Sequence, residues 1–174
     1  MSEFRAGFVA LLGPPNAGKS SLLNTLLGQK LAIVSSKPQT TRSRILGILP
    51  REGAQILFLD TPGKHKGDKK LNNALNAVVD QVSRDSEVAL LLVDRVVGWT
   101  EIHQELAEAL TKLRRPTIVV GTKSDIRRAA ESAWPIPEAP SDWQQLAVSA
   151  KSEEGLEPLL QAIVEQLPPS PPLF

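Results

Sequence analysis

The chain of 174 residues has no cysteine and no tyrosine, only four phenylalanines and three tryptophans, and a net charge of +1. Lacking cysteine, it can hold neither a disulfide framework nor a thiolate metal centre, which suits a reducing compartment. No stretch approaches the roughly 20 apolar residues that a membrane-spanning helix requires, and the opening MSEFRAGF has no apolar targeting run. A cytoplasmic protein without a transmembrane segment is expected. Near-zero net charge provides no whole-chain attraction for a polyanion, and so few aromatic rings leave no obvious platform for unpaired bases. Specific RNA binding by this chain alone is therefore not expected. The length suits one domain that buries roughly two-thirds of its unfolded surface, so a hydrophobic core can hold it without staples.

What the chain does contain is concentrated early. Residues 7–27, GFVALLGPPNAGKSSLLNTLL, pass from an apolar run through a Gly/Pro loop into a leucine-rich periodic segment, which reads as strand, loop and helix. Within them Gly13, Gly18, Lys19 and Ser20 fit GxxxxGK[ST], with Pro14, Pro15, Asn16 and Ala17 completing the loop and Ser21 following it. Such a loop lets backbone N–H groups converge on phosphate oxygens at a helix N-terminus; Lys19 is expected to reach the terminal phosphates and Ser20 to offer its hydroxyl to Mg²⁺.

Taken in order, the helix after the loop places Leu22, Leu23, Leu26 and Leu27 on one side, with Gly28 as its left-handed stop. The polar segment 29–44 reads as a long functional loop. Arg44 to Leu49 and Gln55 to Leu59 read as a hairpin about the turn Pro50 to Gly53. Asp60, Thr61, Pro62 and Gly63 follow: an aspartate leaving a buried strand beside a phosphate loop can hold Mg²⁺ through water, and Gly63 can turn its N–H to a terminal phosphate. The basic run Lys64 to Lys70 reads as a solvated loop. A helix is expected over Leu71, Leu75, Val78, Val79 and Val82, a strand over Val88 to Val93, and a helix capped by Thr100 with core face Ile102, Leu106, Leu110 and Leu113. A strand over Pro116 to Val120 leads into Gly121-Thr122-Lys123-Ser124-Asp125. A short helix over Arg127 to Ala133, a strand over Gln145 to Val148 ending in Ser149-Ala150-Lys151, and a helix bearing Leu156, Leu159, Leu160, Ile163, Val164 and Leu167 complete the pattern, and PPSPP ends it. Six strands alternating with helices give an α/β fold: a mostly parallel sheet covered on both faces, with the ligand at the carboxyl ends of the strands. The domain is expected over 1–167, with 168–174 a proline-rich tail or the start of a linker.

A phosphate loop does not choose the base. Asp125 can accept two hydrogen bonds from the ring N–H and amino group of guanine, where adenine presents an acceptor, and a desolvated carboxylate facing an acceptor is a strong veto. Lys123 would lie over the base with its stem, and the Ala150 N–H would meet the guanine carbonyl.

With TKSD and SAK in view, the chain resembles the translation-factor-like GTPases and, among them, the Era family of bacterial GTPases. The resemblance rests on GPPNAGKSSLLNTLLGQKLAIVS, KPQTTRSRILGI, DTPG, LNNALN, Trp99-Thr100 and LPPSPPLF, and spans essentially all of 7–174. It implies a P-loop, small-GTPase-like fold in which Gly13 to Ser20 hold phosphate and Thr41, ahead of Thr40, joins Ser20 and Asp60 on Mg²⁺. It further implies that Asp60 to Gly63 form the second switch and that Thr122, Lys123 and Asp125 form the base site with Ser149, Ala150 and Lys151. The implied activity is slow hydrolysis of GTP to GDP and phosphate, a timer in small ribosomal subunit assembly, with Lys19 and Asn16 as catalytic candidates. Asn16 is of the kind that seats K⁺ against the phosphates, so a preference for potassium over sodium is expected.

Thr122 stands where the family has Asn, and Lys64 where it has an aliphatic residue. The family continues into an RNA-binding KH domain, whereas this sequence stops at the linker. Ribosomal RNA, or the small subunit, is expected to be met only through that domain or the switch loops, and the resemblance also allows a peripheral membrane contact. The competing reading is a guanine-nucleotide-binding scaffold with negligible hydrolysis; a tRNA-modifying or iron-transport GTPase domain would share Asn16 and DTPG.

Overall fold

The computed structural model describes residues 3–14, 17–29, 45–59, 80, 82, 84–124 and 133–173. Pro15, Asn16, Thr41, Asp60, Thr61, Pro62, Gly63 and Asp125 lie outside the described residues, as do the loop 30–44, the basic run 64–70, most of the helix expected between Leu71 and Val82, and nearly all of the one expected over Arg127 to Ala133.

Strands β1 (Arg5–Leu12), β2 (Ile45–Arg51), β3 (Ala54–Leu59), β4 (Val88–Asp94), β5 (Thr117–Thr122) and β6 (Gln144–Ala147) form one sheet in the order β2-β3-β1-β4-β5-β6. Only the β2–β3 hairpin is antiparallel, as its short turn demands; the other neighbours are parallel. Among the described residues, the connecting helices are α1 (Lys19–Gln29), α2 (Glu101–Leu113) and α3 (Leu156–Gln166). The expected α/β architecture is observed, with strand ends within two residues of those read from apolar runs.

Alternation along the central strands separates two cores. Val9, Leu11, Leu90 and Leu92 face α1 and α3, where Leu22, Leu26, Leu159 and Ile163 are buried against them. Ala10, Leu12, Ala89 and Leu91 face α2 through Leu106, Ala107 and Leu110. With both faces covered, β3, β4 and β5 are buried along their whole length, which is why they read as unbroken apolar runs.

Two expectations are corrected. Gly28 does not stop α1: the helix continues through Gln29, and Gly28 has no left-handed backbone. The buried face of α2 is His103, Leu106, Ala107 and Leu110, with Ile102 and Leu113 only half-buried, because Thr100 sets the helix start and rotates a histidine inward. The tail runs beside β1: Pro168 and Ser170 exchange backbone bonds with Ala6 and Phe4, and the Leu173 N–H donates to Gln55 Oε1 at 2.7 Å.

His103 has a specific task. Strand β4 runs beyond its last β1 partner, Leu91, so the next carbonyl, Leu92, lies beside Gly13 where β1 has already turned away. His103 Nε2 donates to that carbonyl at 2.9 Å, and Nδ1 accepts the Thr100 N–H at 2.9 Å, so the neutral Nε2–H ring is the form built into the fold. Burial pushes its pKa below 6.5, outweighing the upward pull of the Leu92 carbonyl. The unfolded chain then binds the proton more tightly, so this stability is present above pH 6.5 and is lost as pH falls through the lowered folded value, by at most about 1.4 kcal/mol per pH unit. Urea unfolding at pH 7 and pH 5.5 is expected to show that loss, and His103→Gln, which keeps a donor for Leu92, is expected to flatten it.

Candidate nucleotide site

The strand order turns at β1: the chain moves to β2 and β3 on one side and to β4, β5 and β6 on the other. Such a reversal leaves a crevice at the carboxyl ends of the strands, and the loop after β1 lies in it. Gly13 has φ +151° and Gly18 φ +100°. A Cβ at Gly13 would stand 2.9 Å from the Leu92 carbonyl oxygen, and one at Gly18 would stand 3.3 Å from Thr122 Oγ1. Glycine is therefore required at both ends of the loop, by backbone angle and by space. Between them the Ala17 N–H closes a turn onto the Pro14 carbonyl at 3.3 Å, and Ala17 is buried.

Helix α1 begins at Lys19 with no acidic residue in its first turn, so its positive end is not neutralised from within. Lys19 is half-buried, with Nζ 3.4 Å from the Gly13 carbonyl oxygen, while Ser20 and Ser21 are exposed. Gly18, Lys19, Ser20, Ser21 and Lys123 line a cavity of about 270 Å³. A second cavity, of about 220 Å³, adjoins it and shares Gly18, Ser21 and Lys123; Leu22, Thr122, Val148, Ala150 and Lys151 complete its lining. The first is cationic and hydroxylic, the second more apolar. Together they form a trough, cationic and hydroxylic at one end and more apolar at the other.

Thr122 closes β5 rather than opening a loop, and it is buried. Its hydroxyl donates to the Ala17 carbonyl at 2.7 Å, with the Val93 carbonyl 3.3 Å away. A single hydroxyl thus ties β5 to the phosphate loop. Thr122→Val keeps the shape but removes the bond accepted by Ala17, so urea unfolding is expected to show a loss of about 1–2 kcal/mol, whereas Thr122→Ser is expected to retain the bond.

The far wall is a braced turn. The Val148 N–H donates to Gly121 O at 2.8 Å and the Ser124 N–H to Val148 O at 3.1 Å, joining the ends of β5 and β6. Ser149 is wholly buried; its N–H donates to Glu154 O at 3.0 Å and its Oγ accepts the Ser152 N–H at 3.0 Å. It shapes the turn that presents Ala150 and Lys151 to the cavity. Thr25 of α1 donates to Ser21 O at 2.9 Å and lies 3.4 Å from Ala150 O, linking the phosphate helix to this turn.

Lys123 has a left-handed backbone, φ +61°, and its Nζ is paired with Asp94 Oδ2 at 2.7 Å. Burial alone would raise the Asp94 pKa; the hydrogen bond from Lys123, the N–H groups of Val96 and Val97 and the Lys123 charge overcome that and hold it below its ordinary value. The described structure therefore brings Gly18, Lys19, Ser20, Ser21, Thr122, Lys123, Ala150 and Lys151 around one trough, with Gly13, Pro14 and Ala17 in the loop before it and Ser149 supporting the wall. Sequence reasoning missed Asp94 and His103. A single aspartate closing an apolar strand and a Thr-x-x-His start to a helix were the available signals.

A model of a family described as 50S ribosome-binding GTPase matches residues 8–123. The GTPase Era of Nitratidesulfovibrio vulgaris is 41% identical over 98% of this chain and 58% of its own length. An Era crystal structure in complex with MgGDPNP and nucleotides 1506–1542 of 16S ribosomal RNA shares 34% identity, with a TM-score of 0.73 over 98% of this chain and 60% of that one. An Aquifex aeolicus Era variant bound to GDP and AlF4⁻ shares 34% identity, with a TM-score of 0.74 over the same shares. The chain thus spans under two-thirds of the length of these relatives.

Proposed function

Because this chain belongs to the family of 50S ribosome-binding GTPases, we propose that it binds GTP and hydrolyses it slowly to GDP and phosphate, as the nucleotide-binding part of a switch in small ribosomal subunit assembly. The observation that carries this reading is the two-ended trough whose cavities share Gly18, Ser21 and Lys123. The similarity to an Era crystallised with 16S ribosomal RNA favours the small subunit, whereas the family description names the 50S subunit. Among the described residues no helix is long and apolar enough to cross a membrane, and the proposed setting is the cytoplasm. The nucleotide domain is proposed over 1–167, with 168–174 a proline-rich tail or the start of a linker.

In this reading the loop from Gly13 to Ser20 surrounds the phosphates, its N–H donors being those of every residue but Pro14 and Pro15, which have none and are proposed to line the site, and Lys19 supplies charge to the terminal phosphates. The fit of Mg²⁺ is supported by Ser20, exposed on the first turn of α1 at the edge of the cationic cavity. Thr41 and Asp60 are the proposed remaining holders; a bound Mg²⁺ would offset the charge of the phosphates. Thr61, Pro62 and Gly63 are the proposed second switch, and Asn16 the proposed seat for K⁺. Lys123, Asp125 and the turn Ser149, Ala150 and Lys151 are the proposed base site. The test is a fluorescent-GDP titration with Mg²⁺, followed by phosphate release over hours. GTP and GDP are expected to displace the probe, ATP is not, and phosphate is expected to appear slowly. Comparable competition by ATP would overturn the guanine reading; binding without phosphate release would leave a scaffold.

A further inference from the structure

We infer that Asp94 is a positioning residue for nucleotide binding, which holds Lys123 stretched across the trough before any ligand arrives. The inference rests on the guanine-nucleotide reading and adds to it a residue outside the four sequence motifs.

Asp94 is the last residue of β4 and the cross-strand partner of Thr122, so its side chain starts beside the point where Lys123 leaves β5. Its carboxylate is fixed by the turn it begins. Oδ1 accepts the Val96 N–H at 2.8 Å and lies 3.4 Å from the Val97 nitrogen, and the Asp94 carbonyl accepts the Gly98 N–H at 2.7 Å. Only Oδ2 is turned towards Lys123, and it meets Nζ at 2.7 Å. The carboxylate cannot follow a wandering ammonium without giving up that turn, so the ammonium must come to it.

Lys123 is built to do so. Its backbone turns left-handed where it leaves β5, and it lines both cavities while its Nζ is held at Asp94. A lysine with 39% of its side chain exposed would otherwise sample many rotamers, and a nucleotide would have to order it on binding. Most exposed ion pairs contribute little because both partners fray. Here the acid is 12% exposed and held by backbone amides, so one side of the pair is already ordered. If the carboxylate is neutralised, the ammonium is expected to swing towards the phosphates, the strongest anion in reach, and its stem to leave the base.

The test is a double-mutant cycle on the full chain, using Asp94→Asn, Lys123→Met and their combination, with fluorescent GDP as probe and circular dichroism confirming folding. Asp94→Asn is expected to weaken GDP binding about tenfold when Lys123 is present and less than about twofold in the Lys123→Met background. A role in the turn alone would weaken both backgrounds equally, and that result, or no loss in Asp94→Asn, overturns the inference. Asp94→Glu supplies a second reading if Lys123→Met folds or binds too poorly: it is expected to recover at least about half of the lost factor on a logarithmic scale, and recovering none overturns the proposal. If the unsubstituted chain fails to bind GDP, or binds ADP equally, the nucleotide reading itself is what fails.

Discussion

Lys19→Ala is expected to weaken GDP and GTP binding by about a hundredfold or more without destabilising the nucleotide-free protein. The argument is one of sign. Lys19 is the first residue of α1, where a cation opposes the helix dipole by about 0.3–1 kcal/mol. Its Nζ lies at a long 3.4 Å from the Gly13 carbonyl oxygen, and alanine is the better helix former. Folding alone would therefore do as well, or slightly better, without it. A phosphate chain in the neighbouring cavity reverses the balance, because the same ammonium then makes charge-assisted hydrogen bonds, and a loss of about 3 kcal/mol in binding corresponds to roughly two orders of magnitude. Fluorescent-GDP titration and urea unfolding of the nucleotide-free protein read the two halves separately. Retained affinity would remove Lys19 from the phosphate site, and a large loss of apo stability would make its role structural.

The second large effect is expected at Gly155, where substitution should damage stability and site together. Gly155 caps α3 with φ +78°, and a Cβ there would collide with the carbonyl of Ala147, itself the last residue of β6. Gly53 has nearly the same φ, +75°, but open space around it. The pair separates two costs. Gly53→Ala is expected to lose about 1–2 kcal/mol from left-handed backbone strain alone. Gly155→Ala adds a clash with backbone that cannot rotate away, and a loss of about 3 kcal/mol or more is expected, a large part of the stability of an ordinary domain. Because Ala147 leads directly into Val148, Ser149 and Ala150, the molecules that remain folded are expected to bind GDP more weakly, while Gly53→Ala, at the opposite end of the sheet, leaves binding unchanged. Equal urea midpoints for the two variants would show that the crowding at Gly155 is relieved at no cost.

The two ends of the candidate site were legible to different degrees. Gly13, Gly18 and Lys19 could be placed from sequence because their demands are local: a tight turn, close approach of backbone, and a charge at a helix start. The hairpin 45–59 was legible for the same reason, since apolar runs on either side of a short turn pair with each other. The helix stop proposed at Gly28 failed because an open helical glycine costs only about 1 kcal/mol, which packing of Leu22, Leu23 and Leu26 can override.

The sequence by itself determined the doubly covered parallel sheet and the phosphate loop, since both follow from hydrophobic period and glycine positions within a few residues. Only the tertiary structure decided how Thr122 braces that loop, why His103 points inward and what holds Lys123. Each depends on a partner far along the chain: Thr122 on Ala17, His103 on the Leu92 carbonyl that β1 leaves behind, Lys123 on Asp94. Periodicity tells which face of a strand is buried, but not which carbonyl lacks a strand partner once neighbouring strands of unequal length are aligned. That depends on register, and register is settled only when the whole sheet is assembled.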